Sequence, residues 1–297
     1  MAIHLSNASD NWTGTSASEE VYGHGGGDIL RGMGGNDIIH GDDGMGGTDG
    51  WDWINGGAGN DYMYGGEGND TFEVGGIYSG NVGGLNSGWD KYDGEDGNGD
   101  RIRIAPTAGW VWTAIMIDGT GLTPGIDNVE IIENDSTGPG YVYVRGDVNF
   151  GDVTQWIDMN LIVGSANADK ITGSDVADPT IEAGNGDDEV YGMGGGDTIY
   201  GLNGNDTLDG GEGENHLYGG AGADTFVVST DYDLSTIHDF DDGTEKIHFT
   251  SNIADDYSDL SISNDMDGNA HVIVGTVDIT VAGVDSASRS PADLMFV

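Results

Sequence analysis

The feature that most constrains the fold of this chain is a glycine-rich unit of nine residues that returns in fixed register. Its clearest copies are residues 32–40, 56–64, 65–73, 192–200, 201–209 and 219–227. Each approaches the pattern G-G-x-G-x-D-x-U-x, in which U is a large apolar residue. Repeats of this kind stack into a parallel β-solenoid, because a single turn cannot bury its apolar residue alone.

The large apolar residue stands two positions after the acid in nearly every copy. These residues are Trp12, Val21, Leu30, Ile39, Ile54, Met63 and Phe72 in a first block, and Ile171, Val190, Ile199, Leu208, Leu217 and Phe226 in a second. Side chains alternate between the two faces of a strand, so we expect the U residues to form one internal ladder. The glycines suit tight loops with positive φ or close backbone approach.

The acids of the repeat are predicted calcium ligands, because Ca²⁺ takes six to eight oxygens from carboxylates and backbone carbonyls. One loop cannot close such a shell but two can, so each ion is expected to join adjacent turns as they fold. The predicted carboxylate ligands are Asp10, Glu19, Asp28, Asp37, Asp52, Asp61, Asp70, Asp169, Asp178, Asp188, Asp197, Asp206 and Asp224. The predicted carbonyl ligands are Gly23, Gly25, Gly32, Gly34, Gly57, Gly59, Gly66, Gly68, Gly192, Gly194, Gly201, Gly220 and Gly222. Asn215 takes an aspartate position and should be a weaker, uncharged ligand.

The repeats divide the chain into four predicted segments. Residues 1–75 and 161–228 are the two repeat blocks. Each begins with degenerate repeats in which small polar residues replace glycine. Residues 76–160 lose the nine-residue period and carry short β-like runs, which favour an irregular continuation of the solenoid over a small separate β-sandwich. Residues 229–297 have the composition of a β cap for the last coil. The predicted class is all-β, a right-handed parallel β-roll or β-helix.

The charge of the chain excludes several classes of partner. The formal net charge is −45, which argues against nucleic acid and against a bare anionic membrane. A chain this acidic repels itself when compact, so a bound cation is needed for folding. There is no cysteine and no apolar run long enough to span a bilayer. The first residues carry neither a basic patch nor an apolar stretch, so we expect no Sec signal peptide there.

On these repeats, the chain resembles the RTX, or hemolysin-type calcium-binding, family over nearly its whole length. The resemblance implies a bacterial protein that is secreted or held at the cell surface. It also implies type I secretion machinery as a partner, reading an uncleaved C-terminal signal. The stretch from Asp224 through residues 237–240 to residues 293–297 looks like the C-terminal region of that family.

No motif of a known catalytic class is present. The sequence contains no H-E-x-x-H helix, no G-x-S-x-G elbow and no cysteine nucleophile, and its seven histidines are scattered. Paired acids such as Asp187 and Asp188 are better explained by calcium binding or solvation than by glycan hydrolysis. We therefore expect a protein that is not an enzyme.

Aromatic residues suggest a binding surface. Tyr22, Tyr64, Tyr191, Tyr200 and Tyr218 should face outward, and Trp51, Trp53, Tyr62 and Tyr64 should cluster on one flank; Trp89, Trp110, Trp112 and Trp156 lie in the middle segment. Such a surface can meet another copy of the chain or stack on sugar rings, although stiffening of the sheet or filling of an irregular core explains it equally well. The favoured function is a structural, self-assembling subunit of a surface layer or filament. The alternative is a calcium-dependent polysaccharide-binding module.

Overall fold

The computed structural model describes residues 1–42, 50–74, 90–96, 99–104, 113–119, 126–127, 129–134, 139–229, 233–241, 243–250, 252–254, 256–284 and 294–296. Its internal contacts divide the chain into two compact units, Met1–Leu161 and Ile162–Val297. Three tryptophans of the middle segment, Trp89, Trp110 and Trp112, lie outside the described residues. Trp156 is half-buried, with its ring 5.2 Å from that of Phe150.

The first unit is built almost entirely of short strands. They are β1 (Ile3–His4), β2 (Asn11–Thr13), β3 (Glu20–Tyr22), β4 (Ile29–Arg31), β5 (Ile38–His40), β6 (Trp53–Asn55), β7 (Tyr62–Glu67), β8 (Thr71–Val74), β9 (Lys91–Asp96), β10 (Arg101–Ile104), β11 (Thr113–Gly119), β12 (Ile126–Asp127), β13 (Ile131–Asn134), β14 (Gly140–Asn149) and β15 (Gln155–Ile157). Strand β16 (Met159–Val163) crosses the boundary between the units.

The second unit continues with strands of the same length. They are β17 (Lys170–Thr172), β18 (Thr180–Asn185), β19 (Glu189–Tyr191), β20 (Thr198–Asn203), β21 (Thr207–Asp209), β22 (His216–Ala221), β23 (Thr225–Val228), β24 (Thr236–Ile237), β25 (Lys246–Phe249), β26 (Ser261–Asn264), β27 (Ala270–Val274), β28 (Val277–Val281) and β29 (Leu294–Phe296). A single 3₁₀ turn, Tyr257–Asp259, precedes β26.

Parallel pairing stacks most strands of the first unit into two sheets. Sheet A has the order β1-β3-β5-β7-β9-β12, and sheet B the order β2-β4-β6-β8-β10-β13-β15. Consecutive repeats therefore alternate between the sheets, and Val21 pairs with Ile39, eighteen residues on, in sheet A. Each coil contains two repeats, because a chain that turns after one strand needs a second strand and turn to return to its starting edge. The chain is thus a parallel β-solenoid.

The expectation of one internal ladder is wrong, because two ladders face each other. Sheet A contributes Val21, Ile39 and Met63, and sheet B contributes Leu30, Ile54 and Phe72, all buried. Trp12, at the start of sheet B, is only half-buried. The core is therefore two rows of apolar side chains that meet between the sheets.

Strands of the irregular middle segment extend both sheets of the first unit. Strand β9 pairs in parallel with β7, and β12 pairs with β9 in sheet A. In sheet B, β10 pairs with β8, and β13 and β15 follow. Strand β14 pairs in parallel with β11. Tyr92 and Ile102 continue the two buried rows, so the coils persist where the nine-residue period is lost.

The second unit repeats the plan and ends differently. One row of parallel strands runs β17-β19-β21-β23-β25-β29, and another runs β18-β20-β22-β24-β28. Beyond β28 the pairing becomes antiparallel, first to β27 and then to β26. Among the described residues, no helix is long and apolar enough to cross a membrane.

Candidate metal centre

A ladder of aspartates runs along the sheet edges of both units, where each loop leads into its strand. The backbone N–H of Asp28 donates to Oδ1 of Asp52 at 2.8 Å, and the N–H of Asp52 donates to Oδ1 of Asp70 at 2.8 Å. In the second unit the N–H of Asp188 donates to Oδ1 of Asp206, and the N–H of Asp206 to Oδ1 of Asp224, both at 2.9 Å. Each acid therefore ties its own coil to the preceding one.

The second carboxylate oxygen of most ladder aspartates is buried and has no hydrogen-bond partner. This holds for Oδ2 of Asp28, Asp37, Asp52, Asp61, Asp70, Asp100, Asp188, Asp197, Asp206 and Asp224. Burying a charged oxygen without a partner is strongly unfavourable. The same defect, repeated coil after coil in one orientation, indicates that a cation completes these sites.

The first glycine of each loop shows where that cation would fit. A Cβ on Gly32 would collide with both Oδ2 of Asp37 and the carbonyl oxygen of Gly56. A Cβ on Gly41 would likewise collide with Oδ2 of Asp52 and the carbonyl of Gly65. A carboxylate oxygen and a carbonyl oxygen from the next coil thus converge beside a bare α-carbon. Hard oxygen donors of this kind fit calcium.

Carboxylates alone do not make a site. Within the described part of the chain, no group of three or more His, Cys, Asp or Glu side chains could hold a metal ion. The ladder aspartates would therefore bind calcium together with main-chain carbonyls of the glycine loops, which approach the same carboxylate oxygens. When bound, the ion supplies the positive charge that the buried oxygens lack.

Every predicted carboxylate ligand stands on the ladder, and we call each position of the ladder a rung. The first rungs of each unit differ from the rest in the hydrogen bonds that their carboxylates accept. Oδ2 of Asp10 accepts the N–H and the hydroxyl of Ser6, at 2.8 and 2.7 Å. Glu19 accepts the N–H and hydroxyl of Thr15 in the same way. In the second unit, Asp169 accepts the N–H of Ser165, and Asp178 accepts the N–H and hydroxyl of Ser174. These rungs receive hydrogen bonds from their own loops, and Oε2 of Glu19 and Oδ2 of Asp178 also meet the carbonyls of Gly32 and Gly192.

The carbonyls that meet the carboxylate oxygens belong to the first glycine of a loop. They are those of Gly32, Gly41, Gly56, Gly65, Gly94, Gly192, Gly210 and Gly219, of which only Gly32 and Gly192 are among the predicted ligands. Gly23 and Gly201 lie beside Oδ2 of Asp28 and Asp206, where any side chain would collide. Gly25 is buried, while Gly34 and Gly194 make isolated bridges to Ala58 and Glu212.

The remaining predicted carbonyl glycines stand at the second and fourth positions of their loops, and their carbonyls stay predicted ligands. Gly57, Gly59, Gly66, Gly68, Gly220 and Gly222 all have positive φ. Five of them, Gly57, Gly59, Gly68, Gly220 and Gly222, pack so closely on the preceding coil that a Cβ would collide with its carbonyl oxygen. In other loops the second position is held by a side chain at positive φ, as at Met33 (75°) and Leu202 (76°).

Three further acids continue the ladder through the middle segment, where the nine-residue count does not find them. The N–H of Asp61 donates to Oδ1 of Asp90 at 3.0 Å, and the N–H of Asp70 donates to Oδ1 of Asp100 at 2.6 Å. The N–H of Asp100 then donates to Oε2 of Glu130 at 2.9 Å. Each stands two residues before a buried apolar residue, and this shorter acid-x-apolar pattern is the signal that identifies them.

Burial makes the ladder carboxyls weaker acids than exposed aspartates in the metal-free chain, because it raises their pKa values. Desolvation raises the pKa of Asp52 to about 8 and that of Asp70 to about 7, against the lowering effect of the backbone hydrogen bonds they accept. Neighbouring carboxylates add to the rise. Desolvation also raises the pKa of Asp61 and Asp197 to about 6. A cation and a proton therefore compete for the same buried oxygens.

Asn215 closes its rung without charge. Its Oδ1 accepts the N–H of Asp197 at 3.0 Å, as an aspartate would. Its Nδ2 donates to the carbonyls of Gly211 and Gly213, both at 3.3 Å, and to Oγ of Ser235 at 3.4 Å. The amide group thus binds the carbonyls of the second and fourth residues of its own loop, the positions that the predicted ligands Gly57 and Gly59 hold in theirs.

Comparison with known proteins agrees with this site. The model of the RTX calcium-binding nonapeptide repeat (four copies) matches residues 13–44, 46–76, 180–208, 191–226 and 200–234. Both runs of coils are thus RTX calcium-binding repeats. A search of curated proteins finds no match.

Several solved structures are similar to parts of this chain. The R3 subunit of the AlgE6 mannuronan C5-epimerase from Azotobacter vinelandii is 28% identical, with 44% of this chain and 80% of that chain covered and a TM-score of 0.31. The R2 subunit is 26% identical, with 45% and 91% covered and a TM-score of 0.24. The extracellular lipase LipA from Serratia marcescens is 16% identical, with 99% and 39% covered and a TM-score of 0.34.

Removing one ladder carboxylate should weaken calcium-dependent folding. We expect Asp61→Ala and Asp197→Ala each to raise the calcium midpoint, read by far-UV circular dichroism, by about tenfold, since a bond to a charged group contributes about 1.5–3 kcal/mol. Glu214→Ala, which removes an exposed carboxylate next to Asn215, is the control and should leave the midpoint unchanged. Equal midpoints for all three variants and the wild type would refute the ligand assignment.

The bare α-carbon beside each carboxylate should be required. Gly32→Ala places a methyl group against Oδ2 of Asp37, and we expect the calcium midpoint to rise by about fivefold or more, because overpacking costs about 1–3 kcal/mol. Gly34→Ala in the same loop is the control: its Cβ would lie 3.6 Å from the carbonyl of Ala58, at a repeat position that Ala58 itself occupies. A similar effect of both substitutions on the midpoint would contradict the proposed cradle.

Acid should partly replace calcium. The folded-state pKa values of Asp52 and Asp70, about 8 and about 7, lie above the ordinary value of 3.8. Between these limits the folded chain binds more protons than the unfolded chain, so its stability falls as pH rises through the window. We expect the calcium-free chain to gain sheet signal when pH is lowered from about 8.5 to about 5. Calcium-saturated chain should show no gain, and loss of sheet signal from the calcium-free chain on acidification would contradict this expectation.

Restoring the acid at position 215 should add a calcium requirement. Asn215→Asp removes the donor to Gly211 and Gly213 and leaves a second buried oxygen like that of its neighbours. We expect one more calcium ion per chain by isothermal titration and lower order in chelator. Asn203→Asp, at an exposed position in β20, is the control. Unchanged stoichiometry would contradict this expectation.

Proposed function

We propose that this RTX-repeat chain is a secreted, non-catalytic structural protein that folds on extracellular calcium and associates with copies of itself. The observation that carries the proposal is the row of buried, unpartnered aspartate oxygens along both units. Because of this row, the compact state depends on a bound cation. The carboxyls with raised pKa values then serve folding and not catalysis. The main role of the chain is then to be a rigid surface that forms where calcium is plentiful.

Calcium concentration sets where such a chain is folded. Extracellular calcium modules typically bind with Kd values of about 10⁻⁴–10⁻³ M. The chain, with a net charge of −45, is therefore open and self-repelling at cytosolic calcium and compact outside the cell. RTX repeats typically belong to secreted proteins, which supports the same location.

An aromatic stack on the outer face of sheet A supports self-association. The rings of His4, Tyr22, His40 and Tyr64 stack in one column, with centroids 5.0, 4.4 and 4.6 Å apart. Beside them, Ile38 and Tyr62 are 39% and 38% exposed. Aromatic and apolar side chains that share one exposed face are typical of protein contact surfaces.

One pocket favours the alternative, a calcium-dependent polysaccharide-binding module. It has a volume of about 230 Å³ and is lined by Tyr62, Tyr64, Lys91, Asp93 and Asp127, among others. The ammonium group of Lys91 lies 5.8 Å from the centre of the Tyr62 ring. An aromatic face next to a cation and carboxylates has the groups that bind a sugar ring and its hydroxyls.

The two functions separate in one experiment. The full chain is titrated with calcium while circular dichroism and light scattering are recorded, and the calcium-loaded sample is viewed by electron microscopy. Ordered fibres or lattices are expected, and Tyr62→Glu should fold at the same calcium concentration but stay dispersed. Thr207→Glu, on a strand of the second unit, is the control. Wild-type chain that folds and stays monomeric would refute self-association, and retention of that chain on a neutral or uronic-acid polysaccharide would support the alternative.

A further inference from the structure

Two histidines from neighbouring coils face each other on the surface of the second unit. His216 begins β22, and His238 follows β24, which pairs with β22. Nδ1 of His216 lies 3.0 Å from Nε2 of His238, and the ring centroids are 5.2 Å apart. Neither residue belongs to the aspartate ladder or to the buried rows, so calcium binding does not explain the pair.

The His238 ring is held in place before any ligand arrives. It stacks on the ring of Tyr218 at 4.4 Å and 7°, and Tyr218 stacks on Tyr200 at 4.4 Å. The backbone N–H of His238 donates to the carbonyl of Leu217 at 3.0 Å. His216 is exposed, so the edge of the pair is open to solvent. A stacked, half-buried imidazole beside an exposed one is a preorganised pair of nitrogen donors.

The separation of the two nitrogens suits a shared metal ion. Zinc–imidazole bonds are about 2.0–2.1 Å, so two nitrogens at tetrahedral positions are about 3.3 Å apart. Imidazole suits zinc, copper and nickel, whereas calcium takes oxygen. Burial and the nearby His216 both lower the pKa of His238, which favours the neutral form that can donate a lone pair. Without metal, the same nitrogens share one N–H···N hydrogen bond.

We propose that His216 and His238 form a two-imidazole site for a transition-metal ion of the zinc, copper or nickel class, with water completing its coordination shell. The two ligands are brought together only when their coils stack. The ion therefore binds the folded state and stabilises it, so its presence lowers the calcium needed for folding. Calcium in turn creates the site.

The test uses the full chain with one background substitution. Nδ1 of His4 lies 3.2 Å from Nε2 of His24 in the first unit, so His4→Gln is introduced to leave the second-unit pair as the bis-imidazole site under study. Calcium-loaded His4→Gln chain is titrated with Zn²⁺ by calorimetry. We expect one site per chain, weakened by about tenfold or more on adding His216→Gln, since even partners of metal ligands change affinity by about 10- to 100-fold.

The matched control is His40→Gln, which removes a ring stacked between Tyr22 and Tyr64 and should leave zinc affinity unchanged. Equal zinc binding with and without His216 would overturn the proposal. Electron paramagnetic resonance of Cu²⁺ on the His4→Gln chain needs no second substitution: coupling to two imidazole nitrogens supports the site, and an all-oxygen signal overturns it. Zinc should also lower the calcium midpoint of His4→Gln chain, and no shift there would overturn the coupling.

Discussion

The structure depends on one electrostatic constraint: most repeats bury a carboxylate, and only one of its two oxygens finds a donor within the protein. Oδ1 binds the N–H of the neighbouring coil, while Oδ2 faces a glycine carbonyl, another acceptor. Two acceptors that face each other repel unless a cation lies between them. Folding, metal binding and the glycine content of the loops are therefore one requirement.

The repeat predicted the class of fold, the buried residues and the ladder acids, but its period hid the larger unit. Because a coil holds two repeats, Trp53 lies in sheet B while Tyr62 and Tyr64 lie in sheet A, so the predicted cluster of these aromatics is wrong. Asp90 and Asp100 fall outside the nine-residue count, because the spacing of the acids along the sequence changes after Asp70. A fixed repeat length cannot follow loops of different length. The acid and the apolar residue two positions later keep their spacing, because side chains alternate between the faces of any strand.

The opening rungs show how local chemistry can override a register argument. By position Asp10 and Asp178 are ordinary repeat acids, yet Ser6 and Ser174 supply the donors that other rungs lack. A hydroxyl four residues before the acid was visible in the sequence. It distinguishes a carboxylate that receives hydrogen bonds from its own loop from one whose second oxygen has no donor. At position 215 the amide of Asn215 instead donates to carbonyls of its loop.

These hydroxyl-closed rungs give each unit a direction. Forming the first coil of a solenoid is the costly step, because its strands lose conformational entropy before a neighbouring coil is there to pack against them. A coil whose carboxylates already receive hydrogen bonds can serve as the template on which the next, ion-dependent coil is laid. We therefore expect each unit to grow from its amino-terminal edge, with order there preceding the coils that wait for calcium.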